Sequence, residues 1–301
     1  MVHLASCSED AIVPEVEKPI KTGPITLHLN CSMADATTDS IPTRSYVAPS
    51  AYYENVLHDI FALLFDADGI CLAYSEYREI EGEKTVVENL TLQMSSYSEN
   101  PNNTLYVFAN LGKERYADLV GRYEKLYYSN FSKETFSIEA FKQLPTNQSN
   151  TTYLPACAIY KGAVTDDMTL SLIMGRYISS VKVKLTTTSS GEVFTDIKVG
   201  LQNAPKAQQY IPVAESADYL ITDFFSDSEM EDKLTITSLT QNKDSTRYFY
   251  VGENISANED QQIKIHLTGK KSNKDFETSI PLTSSGLVHR NSYYEVQLSL
   301  E

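Results

Sequence analysis

Apolar and polar residues alternate along much of this chain with a period of two, and that period predicts sheet. Residues 25–30, ITLHLN, set Ile25, Leu27 and Leu29 on one side and Thr26, His28 and Asn30 on the other, the pattern of a half-buried strand. A polar loop is expected from Cys31 to about Pro49. Two short apolar runs follow, Ile60 to Phe65 and Ile70 to Tyr74, joined by Asp66-Ala67-Asp68-Gly69. Strand formers on both sides of Asp-Gly read as a hairpin, with Asp68-Gly69 in a tight turn of positive φ. Further strands are expected at residues 85–92 and 104–110. Residues 113–127 differ: Tyr116, Leu119, Val120, Tyr123 and Leu126 recur at helical spacing and predict one helix. Asn- and Ser-rich loops come next, at 129–133 and 146–152. Strands are then predicted at 168–175, 178–187, 193–201, 234–239, 246–252, 262–268 and 292–300, with turn signals at the spacing of a β-sandwich.

At 301 residues the chain suggests two domains, and the boundary is expected near Ala163–Asp167. The net charge of −15, from 25 basic and 40 acidic residues, argues against a nucleic-acid partner. It suits a self-repelling surface in salty surroundings. There is no Trp and there are 20 Tyr, which again favours sheet. No apolar stretch is long enough for a membrane-spanning helix.

Chemistry-bearing patterns are sparse. Asp66 and Asp68 resemble the start of a calcium loop, but the Gly and Glu positions do not follow. The histidines, His3, His28, His58, His266 and His289, show no metal-ligand spacing, nor do Cys7, Cys31, Cys71 and Cys157. Cys71 and Cys157 lie in apolar, strand-like runs and read as buried thiols. A nucleophile elbow, a phosphate loop and a dinucleotide fingerprint are all lacking, so no catalytic residue, metal or cofactor is expected. Carboxylate pairs for glycoside hydrolysis meet in space rather than in sequence, and the sequence leaves them open. Glu79, Glu81 and Glu83 read as a surface strand, and the acidic run 223–232 as a solvated loop. Asn-x-Ser/Thr triplets occur at Asn30, Asn89, Asn102, Asn130, Asn147, Asn150 and Asn254, and matter only in a secreted eukaryotic protein. Leu4-Ala5-Ser6-Cys7 has the form of a bacterial lipoprotein-processing box. Six residues before Cys7 are too few for a signal peptide, so the box is meaningful on a trimmed chain and fortuitous otherwise. Residues 8–24 are polar and acidic, with Pro14, Pro19 and Pro24, as a tether would be.

Several stretches together resemble the fimbrillin superfamily, the pilus subunits of Bacteroidales bacteria. They are Cys7 in its box, ENVLHDIFALLFDADG at 54–69, NNTLYVFANLG at 102–112, MGRYISSVKVKLT at 174–186, RYFYVGEN at 247–254 and HRNSYYEVQLSL at 289–300. The resemblance implies a mainly β fold of two tandem transthyretin-like β-sandwiches with one short helix in the first. A leader or tether would span 1–23, the first sandwich 24–165 and the second 166–301. It implies no enzymatic activity, and export to the cell surface as an outer-membrane lipoprotein anchored by lipid on Cys7. It also implies a place in a fimbrium serving adhesion, joined to other fimbrial subunits by β-strand addition after a protease removes the first strand.

The family is cut after an Arg in the loop beyond that strand, and Arg44 is the first Arg of this chain, flanked by Pro42, Thr43 and Ser45. Ile25, Leu27 and Leu29 would be the plug of a removable strand, and its loss would leave an adhesive edge. That reading needs the strand in the first sheet at a place from which it can slide free; a strand outside that sheet, or in its middle where it could not slide free, would defeat it. The segment 292–300 alternates too, and reads as the last strand of the second sandwich rather than as a donor. With nothing beyond Glu301, the resemblance favours a tip or accessory subunit over a stalk subunit, a basal anchor being the other terminal role. A lipid-anchored surface protein that binds a host protein or glycan and never polymerises is the alternative, with Tyr123–Tyr128 as a stacking surface.

Overall fold

The computed structural model describes residues 23–33, 55–95, 102–121, 127–131, 135–137, 153–187, 193–210, 223–226, 229–230, 232–233, 245–256 and 258–300. Its first elements are β1 (Ile25–Met33), β2 (Leu57–Phe65), β3 (Cys71–Tyr74), β4 (Arg78–Lys84), β5 (Val86–Met94) and β6 (Asn103–Ala109). Helices α1 (Lys113–Gly121) and α2 (Tyr128–Phe131), then β7 (Thr135–Ser137), β8 (Ala156–Gly162) and β9 (Met168–Arg176), complete the first group. The second comprises β10 (Ser179–Thr187), β11 (Phe194–Gln202), β12 (Ala207–Gln209), β13 (Asp232–Lys233), β14 (Ser245–Val251), β15 (Lys264–Lys271), β16 (Lys274–Pro281) and β17 (Tyr293–Leu300).

The first sheet runs β3-β2-β6-β8-β9-β1-β5, with β4 also on β2. β8 and β9 meet through two residue pairs, Ala156 with Arg176 and Cys157 with Gly175. At that corner the ribbon folds into two layers. Ile60, Ala62, Leu64, Leu105, Val107 and Ala158 from one layer pack with Ile25, Leu27, Leu29, Leu92, Leu172 and Met174 from the other. The result is a β-sandwich with an apolar core.

β2 explains why its sequence does not alternate. Its Ile60, Ala62 and Leu64 face that core, while Phe61, Leu63 and Phe65 face a second one. A strand buried on both faces reads as a continuous apolar run. The second core is shared with the sheets β14-β10-β17 and β13-β11-β15-β16, through Val181, Val183, Phe249, Val199, Ile265 and Leu267 among others. A small pairing of β12 with β7 also ties the later part of the chain to the earlier.

The structure departs from the sequence reading at several points. β1 continues through Cys31 to Met33, where a loop was expected, because Cys31 extends the inward alternation. β9 lies beyond the expected boundary at 163–167 yet pairs in parallel with β1. By sheet pairing the change therefore falls between Arg176 and Ser179. Of the helix expected at 113–127, α1 is described over Lys113–Gly121, and residues 122–126 lie outside the described residues. β16 was not expected; it is largely exposed, so its sequence lacks an apolar stripe. The strand expected at 234–239 lies wholly outside the described residues.

The hairpin of β2 and β3 forms, but its turn spans four residues. Gly69 N–H donates to the Asp66 carbonyl at 3.1 Å and Asp66 N–H to that of Ile70 at 2.9 Å. Of the two turn residues expected at positive φ, Gly69 has it, at 78°, and Asp68 does not. The Asp66 carboxylate accepts from the Ile70 N–H at 2.8 Å, so it closes the turn. β17 joins the second group in parallel with β10, as the last-strand reading of 292–300 expected.

Candidate functional site

β1 is the segment whose chemistry stands out. Ile25, Leu27, Leu29 and Cys31 are fully buried, while Thr26, His28, Asn30 and Ser32 on the other face are half-buried. Burial of Ile25, Leu27 and Leu29 stabilises by about 1.5–3 kcal/mol each. Inward residues line up in rows across the layer. Leu29 lies between Leu90 of β5 and Leu170 of β9, and Cys31 between Val87 and Leu172. Burial pushes the Cys31 thiol up to about 12, which leaves it protonated and unreactive while it stays in place.

The strand has neighbours on both flanks. It runs antiparallel to β5 and parallel to β9. Loss of β1 would therefore leave a slot with two open flanks rather than the single adhesive edge that the sequence reading pictured. β1 is an interior strand, one place in from the β5 edge, and cannot slide off; this is the placement that the sequence reading set against a removable strand. Departure has to go outward, through its half-buried face, with both ladders broken.

Polar contacts fix where β1 sits. Thr26 N–H donates to the Asp167 carboxylate at 2.7 Å. Between Leu29 and Cys31 the ladder with β5 shifts, so Asn30 alone faces Glu88 and Asn89. Such a bulge pins register. Asn89 takes a left-handed φ of 57°, a conformation Asn tolerates better than most residues. Its N–H donates to the Asn30 side-chain carbonyl at 3.1 Å. Apart from the polar side of β1 for Asn30, the sequence marked Asn30 and Asn89 only as Asn-x-Ser/Thr positions and Asp167 only as the limit of the expected boundary. Nothing local links Asn30 to Asn89, 59 positions away.

The structure thus brings Ile25, Leu27 and Leu29 together on one wall. Cys7 and Arg44 lie outside the described residues, as does the tether expected at 1–23 except Gly23. Of the expected tyrosine surface, Tyr127 is exposed and Tyr128 packs between Phe65 and Tyr106. Elsewhere Tyr74 is 55% exposed, while Tyr77 and Tyr116, whose rings are 5.7 Å apart, are half-buried against the second core. Among the described residues no group of three or more His, Cys, Asp and Glu is placed to hold a metal ion.

No family model and no curated protein matches the chain. Solved structures do. A candidate cell adhesion protein from Parabacteroides distasonis superposes with a TM-score of 0.66 at 13% identity, over 92% of this chain and 88% of that one. The tip fimbrial protein Mfa3 from Porphyromonas gingivalis, with a C-terminal truncation, gives 0.56 at 14% identity, over 92% and 95%. A fimbrial assembly protein from Parabacteroides distasonis gives 0.52 at 13%, over 92% and 91%. The chain has the fold of these Bacteroidales fimbrial and adhesion proteins, in agreement with the resemblance carried by its motifs.

Proposed function

We propose that this chain is a non-enzymatic structural subunit of a bacterial surface fimbrium, serving adhesion. It is exported as a lipoprotein through Cys7 and joined to other subunits when β1 is cut away at Arg44 and replaced. One observation carries the reading: β1 fills a slot between β5 and β9 with four fully buried side chains. Removal of such a strand exposes apolar wall and two rows of unpaired backbone groups, a combination that another extended chain satisfies best. The fold shared with fimbrial proteins supports the same reading. Docking of β17 on β10 engages that strand within its own chain, so β17 itself is not offered to a neighbour.

Treatment with an arginine-specific protease tests this. The expected outcome is one early cut at Arg44, after which β1 departs as subunits join. A chain retaining Cys31 as its sole cysteine reports the departure: maleimide labelling is slow before the cut, and the label leaves with the released strand afterwards. Resistance to the protease, or cutting throughout the chain, counts against the proposal.

The second reading, a glycan-binding surface protein that does not polymerise, draws on Tyr74, Tyr77 and Tyr116. Saturable glycan binding that Tyr74→Ala abolishes, in a chain that stays monomeric after the cut, would favour it.

A further inference from the structure

We infer that the slot left by β1 chooses its incoming strand by two features: a side-chain carbonyl at the place of Asn30 and a small side chain at the place of Cys31. This rests on the strand-exchange reading above and says which strand would be accepted.

The first three inward places hold Ile25, Leu27 and Leu29, so large aliphatic side chains suit them. The fourth holds a smaller side chain. Cys31 lies between Val87 and Leu172, is itself fully buried, and fills its place with one sulfur beyond Cβ. Interiors are packed closely enough that two further carbons there must displace a neighbour. Between the third and fourth places stands the Asn89 bulge. Asn89 belongs to β5, which stays when β1 goes, and its left-handed backbone aims its N–H at whatever lies where Asn30 lies. Asn and Asp have the reach to accept it.

Asp167 adds a restriction of another kind. It accepts the backbone N–H of Thr26, so any residue except Pro serves there. The occupant is thus a strand of a partner subunit reading aliphatic, not Pro, aliphatic, not Pro, aliphatic, Asn or Asp, small. The same two places fix register. A strand shifted by two residues brings the wrong residue to Asn89 and a large side chain to the place of Cys31, and a shift of one turns its apolar side outward.

The test uses the full chain with a specific protease site introduced within residues 34–54. After cutting, the chain is incubated with a fluorescent peptide of residues 25–33 and its variants under reducing conditions, and uptake is read by anisotropy. Uptake of the parent, Asn30→Asp and Cys31→Ala peptides is expected to be similar. Asn30→Ala should be about 3–10-fold weaker, the worth of one hydrogen bond, and Cys31→Leu weaker by more than about tenfold. Equal uptake of all five peptides overturns the selection rule and leaves strand exchange standing. Failure to take up even the parent peptide overturns strand exchange and this inference with it.

Discussion

Asp59 shows what a single residue does in this fold. It sits within β2, is 2% exposed, and accepts the N–H groups of Leu111 and Gly112 at 3.1 Å each, just before α1. Asn110 beside it takes a φ of 61° and donates to the carbonyls of Val56 and Leu154. Replacing Asp59 with Ala orphans two donors and should cost about 1–3 kcal/mol in urea melts, whereas Asn keeps an acceptor and should cost less. Burial raises the Asp59 pKa, although the Gly112 and Leu111 N–H groups and His58 oppose the rise. The native state then binds this proton more tightly than the unfolded chain, so charging Asp59 destabilises the fold above the raised native value. That cost fades as pH falls toward the ordinary carboxylate range. Melts of wild type and Asp59→Asn at descending pH should show wild type gaining on the variant. Neither Asp59 nor Asn110 was legible from the sequence. Asp59 reads as a polar break in an apolar run, and its partners lie 52 and 53 positions away.

Elements were more legible than residues wherever a period recorded one wet face. β1, β5 and β10 alternate in sequence and in burial. β2 was recognisable for the opposite reason, a run with no polar face. Pairing was not legible. Nothing in residues 25–33 announces that their neighbours are β5 and β9, since sheet partners are chosen by the whole core rather than by the strand. Two substitutions probe the elements themselves. Leu27→Ala should cost about 2–5 kcal/mol, because its rigid surroundings cannot close the hole. Gly69→Ala should cost about 1–2 kcal/mol, since a Cβ at that positive φ is strained and would lie 3.1 Å from the Tyr128 Cβ. Denaturant midpoints measure both.

At the scale of the molecule, a buried polar cluster sits where the chain passes from the first group of strands to the second. Arg290 donates to Glu253 at 2.8 Å, both side chains being about nine-tenths buried, and lies 4.9 Å over the Tyr177 ring. Tyr177, at the change from one sheet to the next, donates its hydroxyl to the Tyr210 carbonyl. Arg290→Met strands the Glu253 charge and should cost about 3–5 kcal/mol, and adding Glu253→Leu should recover most of the loss. Melts of the two variants decide this, and a double variant no better than the single would refute it. Sequence reading saw two units but missed this cluster, whose members come from four separate stretches of chain.

The two-sided seat of β1 has a mechanical consequence. Tension applied along that strand loads the β5 and β9 ladders in shear, so many bonds must yield together. A hairpin peeled from one end gives way bond by bond. Any chain lodged there would hold as a rivet holds two plates, and stretching a single molecule by its β1 end should show high rupture forces.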